Sequence, residues 1–216
     1  MLLEKERIDI VEACKKLVTH GLTVGTGGNI SIFNRKKKLI AVSPSGVDYF
    51  DAVPEDIVVM DMDNNIIESN RKPSSEWEMH KIFYDRRNDL NAIVHTHSTY
   101  CTAIATLGQS LPASNYLVAF SGKDVRCAEY RTFGTRELAE SAYEGMRNRR
   151  AVLLANHGLL TGAVDLNSAF CIAEQIEHCA KIHCIASSFG KPIILSDNEM
   201  ALMENKFKTY GQPIKS

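Results

Sequence analysis

Residues 91–98 read Asn91-Ala-Ile-Val-His95-Thr-His97-Ser98, an apolar run that passes directly into two histidines. Apolar residues on consecutive positions suit a strand covered on both faces, because successive side chains point to opposite sides. His95 and His97 then share one face, since alternate residues of a strand point the same way. A second strongly apolar run, Ala151-Val-Leu-Leu-Ala-Asn-His157-Gly158, also closes on a histidine with a glycine behind it. These two stretches predict buried strands, at Ala92–His97 and Ala151–Ala155, lying in a sheet between helices.

The surrounding chain supplies both. Leu3, Ile10, Val11, Cys14, Leu17 and Val18 fall at helical spacing before Gly21, a residue suited to a helix C-terminus. Short β-prone runs follow at Ile30–Phe33, Leu39–Val42, Ile57–Met60 and Asn65–Glu68, with connections short enough to imply antiparallel neighbours. Ser75 and Glu78 stand in capping-box relation and predict a helix from about Glu76 to Arg87; Ser196 and Glu199 do the same for a last helix to about Thr209. Helices are also expected over Thr99–Leu107, Thr135–Asn148 and Leu166–Phe189, and a strand over Leu159–Ala163. No repeat or dividing linker interrupts this pattern. The chain therefore reads as a single α/β domain over 1–216, with a largely antiparallel central sheet flanked by helices.

Composition excludes several functions. The 25 Lys plus Arg against 26 Asp plus Glu leave a net charge of −1, without the positive field of a nucleic-acid or membrane-surface binder. No apolar run reaches the roughly 18 residues of a spanning helix, and charges enter the N-terminal segment too early for a secretory signal. A cytoplasmic protein is expected. Its six cysteines form no C-x-x-C pair and read as reduced, buried residues.

His95, His97 and His157, all at ends of expected strands, match a catalytic zinc site, with three protein ligands and a position open to substrate. The alternative is that they are polar residues closing strands. His20, His80, His178 and His183 fall on expected helices and read as surface or core residues. Three segments could present donors to an anion: the glycine-rich stretch Gly25-Thr26-Gly27-Gly28-Asn29, the turn Ser43-Pro-Ser45-Gly46, and Ser74-Ser75 before a helix. Each segment alone is also an ordinary turn or cap. Glu76 would ordinarily complement the helix dipole, whereas beside a metal and a bound phosphoester it would be a base.

Taken together, Gly25-Thr-Gly-Gly-Asn29-Ile-Ser31, Ser43-Pro-Ser-Gly46, Pro73-Ser-Ser-Glu-Trp77, His95-Thr-His97, Asn115-Tyr116, Thr132-Phe-Gly-Thr-Arg136, Asn156-His-Gly158 and Phe207-Lys-Thr-Tyr-Gly211 resemble the class II, zinc-dependent sugar-phosphate aldolases of the aldolase/adducin family. The resemblance implies zinc held by His95, His97 and His157, with Glu76 as a resting ligand and the acid/base. It implies a phosphate among Thr26, Gly28, Asn29, Ser45, Gly46, Ser74 and Ser75. It makes Tyr116, reaching in from a neighbouring subunit, the proton donor or acceptor at the aldehyde oxygen, and places Phe133 and Tyr210 at the substrate pocket. The implied assembly is a homotetramer with active sites between subunits. The implied reaction is reversible cleavage of L-fuculose 1-phosphate to dihydroxyacetone phosphate and L-lactaldehyde, in which a Lewis-acid metal makes a lysine Schiff base unnecessary.

Ser43 and Ser45 stand where threonines are common in that family, and Asn115 where histidine can precede the tyrosine. Other readings on the same scaffold are an aldolase for another deoxypentulose phosphate, a ribulose-phosphate 4-epimerase, or a methylthioribulose 1-phosphate dehydratase. The epimerases typically carry aspartate in place of Glu76. An adducin-like interaction module would have no need of the histidines and Glu76.

Overall fold

The computed structural model describes residues 1–209. Its centre is an eight-stranded sheet in the order β4-β3-β2-β1-β5-β8-β7-β6. The strands are β1 (Asn29–Asn34), β2 (Leu39–Val42), β3 (Val58–Asp61), β4 (Ile66–Glu68), β5 (Ala92–Thr96), β6 (Cys127–Ala128), β7 (Ala151–Leu154) and β8 (Gly158–Ala163). Every pairing is antiparallel except β6 with β7. In the first half, tight turns between β1 and β2 and between β3 and β4, with a longer loop over 43–57 between β2 and β3, make the expected antiparallel meander. The helices are α1 (Glu4–Thr19), α2 (Trp77–Arg86), α3 (Thr99–Thr106), α4 (Arg136–Gly145), α5 (Leu166–Phe189) and α6 (Asp197–Phe207).

The strands' two-residue period divides the core. Ala92 and Val94 of β5, with Ala151 and Leu153 of β7, face one apolar cluster that also takes in Ile10 and Leu17 of α1, Ile104 of α3 and Ile176 of α5. Ile93, Val152 and Leu154 point the other way, onto Met79 and Phe83 of α2 and Leu138 and Ala142 of α4. The sheet is thus covered on both faces, which is why its strands read as continuous apolar runs. Burial of such side chains contributes on the order of 1.5–3 kcal/mol each before the entropy of ordering them is set against it.

Three details differ from the sequence reading. β6 is only two residues long and too short for any periodic signal. The capping box of Ser75 and Glu78 does not form: α2 begins at Trp77, Glu76 takes the cap position without a side-chain cap, and the Ser74 hydroxyl accepts the Glu76 N–H at 3.3 Å. Of the six cysteines, Cys14, Cys101 and Cys179 are buried but Cys127, Cys171 and Cys184 only half-buried. The box at the last helix is realised on its serine side, where Ser196 Oγ accepts from the Glu199 N–H at 3.2 Å. No helix among the described residues is long and apolar enough to cross a membrane.

Candidate metal centre and active site

The site forms where β5 ends. Asn29 of β1 is paired directly with His95 of β5, which brings the end of the glycine-rich segment beside the first histidine. The imidazoles of His95 and His97 converge as their alternation requires, with Nε2 atoms 3.0 Å apart. His157 joins them, its Nε2 lying 3.2 Å from that of His95. It does so from a turn rather than a strand: β7 stops at Leu154, and Asn156, with φ of 56°, bends the chain back before β8. Glu76, only 6% exposed, completes the group. Its Oε2 stands 3.4 Å from His95 Nε2 and its Oε1 3.3 Å from His157 Nε2.

These four side chains fit a metal ion. Their candidate ligand atoms all lie within 4.8 Å of one another. Nitrogens bound about 2.0–2.1 Å from a tetrahedral zinc stand about 3.3 Å apart, close to the separations from His95 to its two neighbours. His95 Nδ1 lies 2.9 Å from the Leu159 carbonyl, so that nitrogen carries the proton and leaves the Nε2 lone pair to the centre. Burial first, then the neighbouring His157 and His97 imidazoles, holds His95 well below the usual histidine range. Burial and His157 lower His97 as well. Neutral imidazoles are the metal-binding form. Glu76 Oε1 is buried with no hydrogen-bond partner, as expected for an oxygen meant for a metal or a substrate proton.

Backbone packing around the cluster leaves no spare room. A Cβ on Gly28, whose φ is +73°, would come within 2.6 Å of the His95 carbonyl oxygen. One on Gly158 would lie 2.2 Å from the Thr96 carbonyl oxygen and 3.2 Å from His97 Cδ2. The buried Tyr49 hydroxyl donates to the Gly28 carbonyl at 2.7 Å and stands 3.2 Å from that of Gly27. It thereby ties down the carbonyl side of the glycine-rich segment.

The other two donor segments lie alongside. Ser43 Oγ accepts from the Ile30 N–H, the Ser74 N–H donates to the Ser43 carbonyl, and the Ser45 N–H to the Lys72 carbonyl. Thr26, Ser45, Gly46 and Ser75 are exposed, whereas Gly28, Asn29 and Ser74 are buried. The Asn29 amide is engaged at 2.9 Å with Glu76 Oε2. Phe133 is 65% exposed, and a Cβ on its neighbour Gly134 would lie 3.0 Å from the Ser75 carbonyl, which puts Phe133 at the rim of this region. Tyr116 is 50% exposed and opens a 3-10 turn over Tyr116–Phe120, its ring 6.2 Å from that of Phe207 on α6. Tyr210 lies outside the described residues.

Sequence reasoning missed the support behind Glu76. His80 Nε2 contacts Asn29 Oδ1 at 2.5 Å, and its Nδ1 lies 2.7 Å from Ser31 Oγ, which in turn is 2.6 Å from the Tyr84 hydroxyl. The signal was present: positions 76, 80 and 84 are four apart and share a helix face, while 29 and 31 share a strand face.

Comparison with known proteins agrees with this geometry. The family model for the class II aldolase and adducin N-terminal domain matches residues 8–184. The chain is 56% identical over 212 residues to the 5-deoxy-D-ribulose 1-phosphate aldolase of Bacillus thuringiensis serovar kurstaki, covering 98% of this chain and 100% of that protein. It is 38% identical over 208 residues to the L-fuculose phosphate aldolase of Escherichia coli, covering 95% of each. A solved L-fuculose 1-phosphate aldolase superposes with a TM-score of 0.94 at 53% identity, covering 96% of this chain and 98% of that one. The chain therefore belongs to the class II aldolase and adducin family, and it is an aldolase, a lyase that makes and breaks carbon–carbon bonds.

Proposed function

We propose that this aldolase is zinc-dependent and reversibly cleaves a deoxyketose 1-phosphate into dihydroxyacetone phosphate and a short aldehyde. The observation that carries the reading is Glu76, a buried carboxylate set among three imidazoles with one oxygen free of any hydrogen bond. We assign 5-deoxy-D-ribulose 1-phosphate, giving acetaldehyde, as the preferred substrate, on the extent of likeness to the Bacillus relative. L-Fuculose 1-phosphate, giving L-lactaldehyde, is the second reading, supported by the solved relative. Both share the phosphate-bearing half and differ only in the aldehyde.

Bound by His95, His97, His157 and Glu76, zinc would supply a Lewis acid for the keto and hydroxyl oxygens of the substrate. The chain's own groups do the rest. Backbone N–H groups and hydroxyls of Thr26, Gly28, Asn29, Ser45, Gly46, Ser74 and Ser75 hold the phosphate. In the direction of synthesis, ionised Glu76 takes a proton from the hydroxymethyl carbon that becomes C3, and the neutral Tyr116 hydroxyl of a neighbouring copy gives its proton to the new C4 oxygen as the C3–C4 bond forms. Cleavage is the reverse: the Tyr116 oxygen takes the C4 hydroxyl proton, the proton that Glu76 holds at that stage goes to C3, and exchange with solvent restores ionised Glu76 and neutral Tyr116. Phe133 borders the pocket. The assembly is a homotetramer with sites between subunits, acting on small molecules rather than nucleic acid or membrane. Thiols without disulfide partners suit the reducing cytoplasm in which we place it.

The test is release of dihydroxyacetone phosphate from each substrate by protein as purified, after chelation, and after zinc is returned. Activity should vanish on chelation and come back with zinc, with a higher kcat/KM for the deoxypentulose. Glu76→Gln should lose about 100- to 10,000-fold in turnover, the usual range for acid/base catalysis. No release from either substrate by the zinc-loaded enzyme would refute the aldolase assignment to these ketoses. Near-normal turnover by Glu76→Gln would remove Glu76 from the proton transfer.

A further inference from the structure

We infer that His80 is a positioning residue: through Asn29 it fixes which oxygen of Glu76 is held and which is left to exchange the substrate proton. The inference rests on the assignment of Glu76 as the acid/base. Its basis is a continuous buried chain of contacts, Glu76–Asn29–His80–Ser31–Tyr84. His80 is 1% exposed and touches neither the histidine cluster nor the surface.

The direction of every hydrogen in this chain follows from one charge. An ionised carboxylate only accepts, so the Asn29 amide must turn its Nδ2 toward Glu76 Oε2, as it does at 2.9 Å. Asn29 Oδ1 then faces His80 Nε2, and two acceptors cannot pair, so Nε2 must carry the imidazole proton. That leaves Nδ1 as an acceptor, filled by the Ser31 hydroxyl. The Ser31 oxygen receives the Tyr84 hydroxyl, which is also 3.0 Å from the Ser31 carbonyl and can share its proton between the two.

The consequence falls on Glu76. A neutral His80 with its proton on Nε2 prevents the Asn29 amide from flipping, because a flip would set Oδ1 against the carboxylate and Nδ2 against an N–H. Oε2 is therefore occupied by a fixed donor, while Oε1 has no hydrogen-bond partner. The proton exchanged with C3 goes to Oε1. Burial, the largest influence, keeps His80 neutral by lowering it to about 3, so this arrangement persists wherever the enzyme works.

The test uses zinc-loaded enzyme and three variants. In the wild-type protein, 15N resonances of His80 should show a protonated Nε2 and a bare Nδ1. His80→Leu should keep its zinc and lose about tenfold to a hundredfold in kcat with KM nearly unchanged, the range for losing a hydrogen bond to a charged group, here the bond of the released Asn29 amide to Glu76. His80→Gln, whose amide nitrogen can replace Nε2–H, should recover most of that loss. Ser31→Ala, which removes the donor to Nδ1 but leaves Asn29 Oδ1 facing Nε2, should keep the proton on Nε2 and nearly all of kcat, and a proton moved to Nδ1 in that variant would overturn the role of Asn29 in setting the tautomer. A proton found on Nδ1 overturns the inference, as does His80→Leu with wild-type kcat or a failure of His80→Gln to rescue. Should His80→Leu not fold, the wild-type tautomer and His80→Gln decide, and a proton on Nδ1 or a His80→Gln protein as impaired as one lacking Glu76 rejects the idea. Active Glu76→Gln would sink the acid/base assignment itself, whereas inactive Glu76→Gln beside a fully active His80→Leu would sink only the role of His80.

Discussion

Gly158 shows how little tolerance the centre has at single residues. It opens β8 directly behind His157, and a methyl group there would meet the Thr96 carbonyl oxygen at 2.2 Å. That oxygen belongs to the backbone of β5 and cannot rotate away, so β5 and β8 must part at the place where His95 and His157 converge. Overpacking of this kind costs about 1–3 kcal/mol. Gly158→Ala should therefore lower Tm by about 2–12 °C for a chain of this size, and its zinc content should fall with it. Both are read from one preparation, by thermal unfolding and by metal analysis. Unaltered zinc content in a folded Gly158→Ala protein would show that the centre adapts more than this packing allows. Glu76 is constrained differently. Its position is set by the Asn29 amide and the turn after Ser74, not by the helix dipole that its place in the sequence evokes.

At the scale of elements, α5 provides a clean case, because none of the assigned site residues lies on its 24 residues. Asp165 caps it, its side chain accepting the Ser168 N–H at 2.7 Å. Asp165→Ala should cost about 1 kcal/mol, lowering Tm by about 2–4 °C while kcat stays as it was. A loss of activity at unchanged stability would place α5 in the chemistry. The same helix illustrates what the sequence makes legible. Ile172, Ala173, Ile176, Cys179 and Ala180 are buried at the spacing that announces it, and its expected bounds match the observed ones. The H-x-H spacing likewise places two imidazoles on one face because a strand's period is two. β6 escapes such reasoning because two residues carry no period. The start of α2 escapes it because Ser75 and Glu78 satisfy a capping pattern that the turn at Ser74 overrides. The link between Asn29 and His80 spans 51 positions and exists only once β1 and α2 face each other. Each half was readable as a face, but their meeting depends on the packing.

At the scale of the whole molecule, the proposed reaction requires more than one chain. Tyr116 is half exposed, grouped with Phe120 and Phe207, whose rings stack at 4.4 Å. Glu76, by contrast, is buried within its own chain. If the proton at the aldehyde oxygen is held by a neighbour's Tyr116, the two groups of one site come from different subunits, and that division has a measurable consequence. Tyr116→Phe and Glu76→Gln proteins should each be nearly inactive alone. Unfolded together and reassembled in equal amounts, they should regain activity, because about one site in four then pairs an intact Glu76 with an intact Tyr116 from the neighbouring copy. Simple mixing without reassembly should regain little, and the size of the particle by light scattering should match a tetramer before and after. Recovery near a quarter would establish shared sites and fix the donor of Tyr116. A reassembled mixture no more active than its parents would mean that both groups act within one chain, and the aldehyde proton would then need another residue.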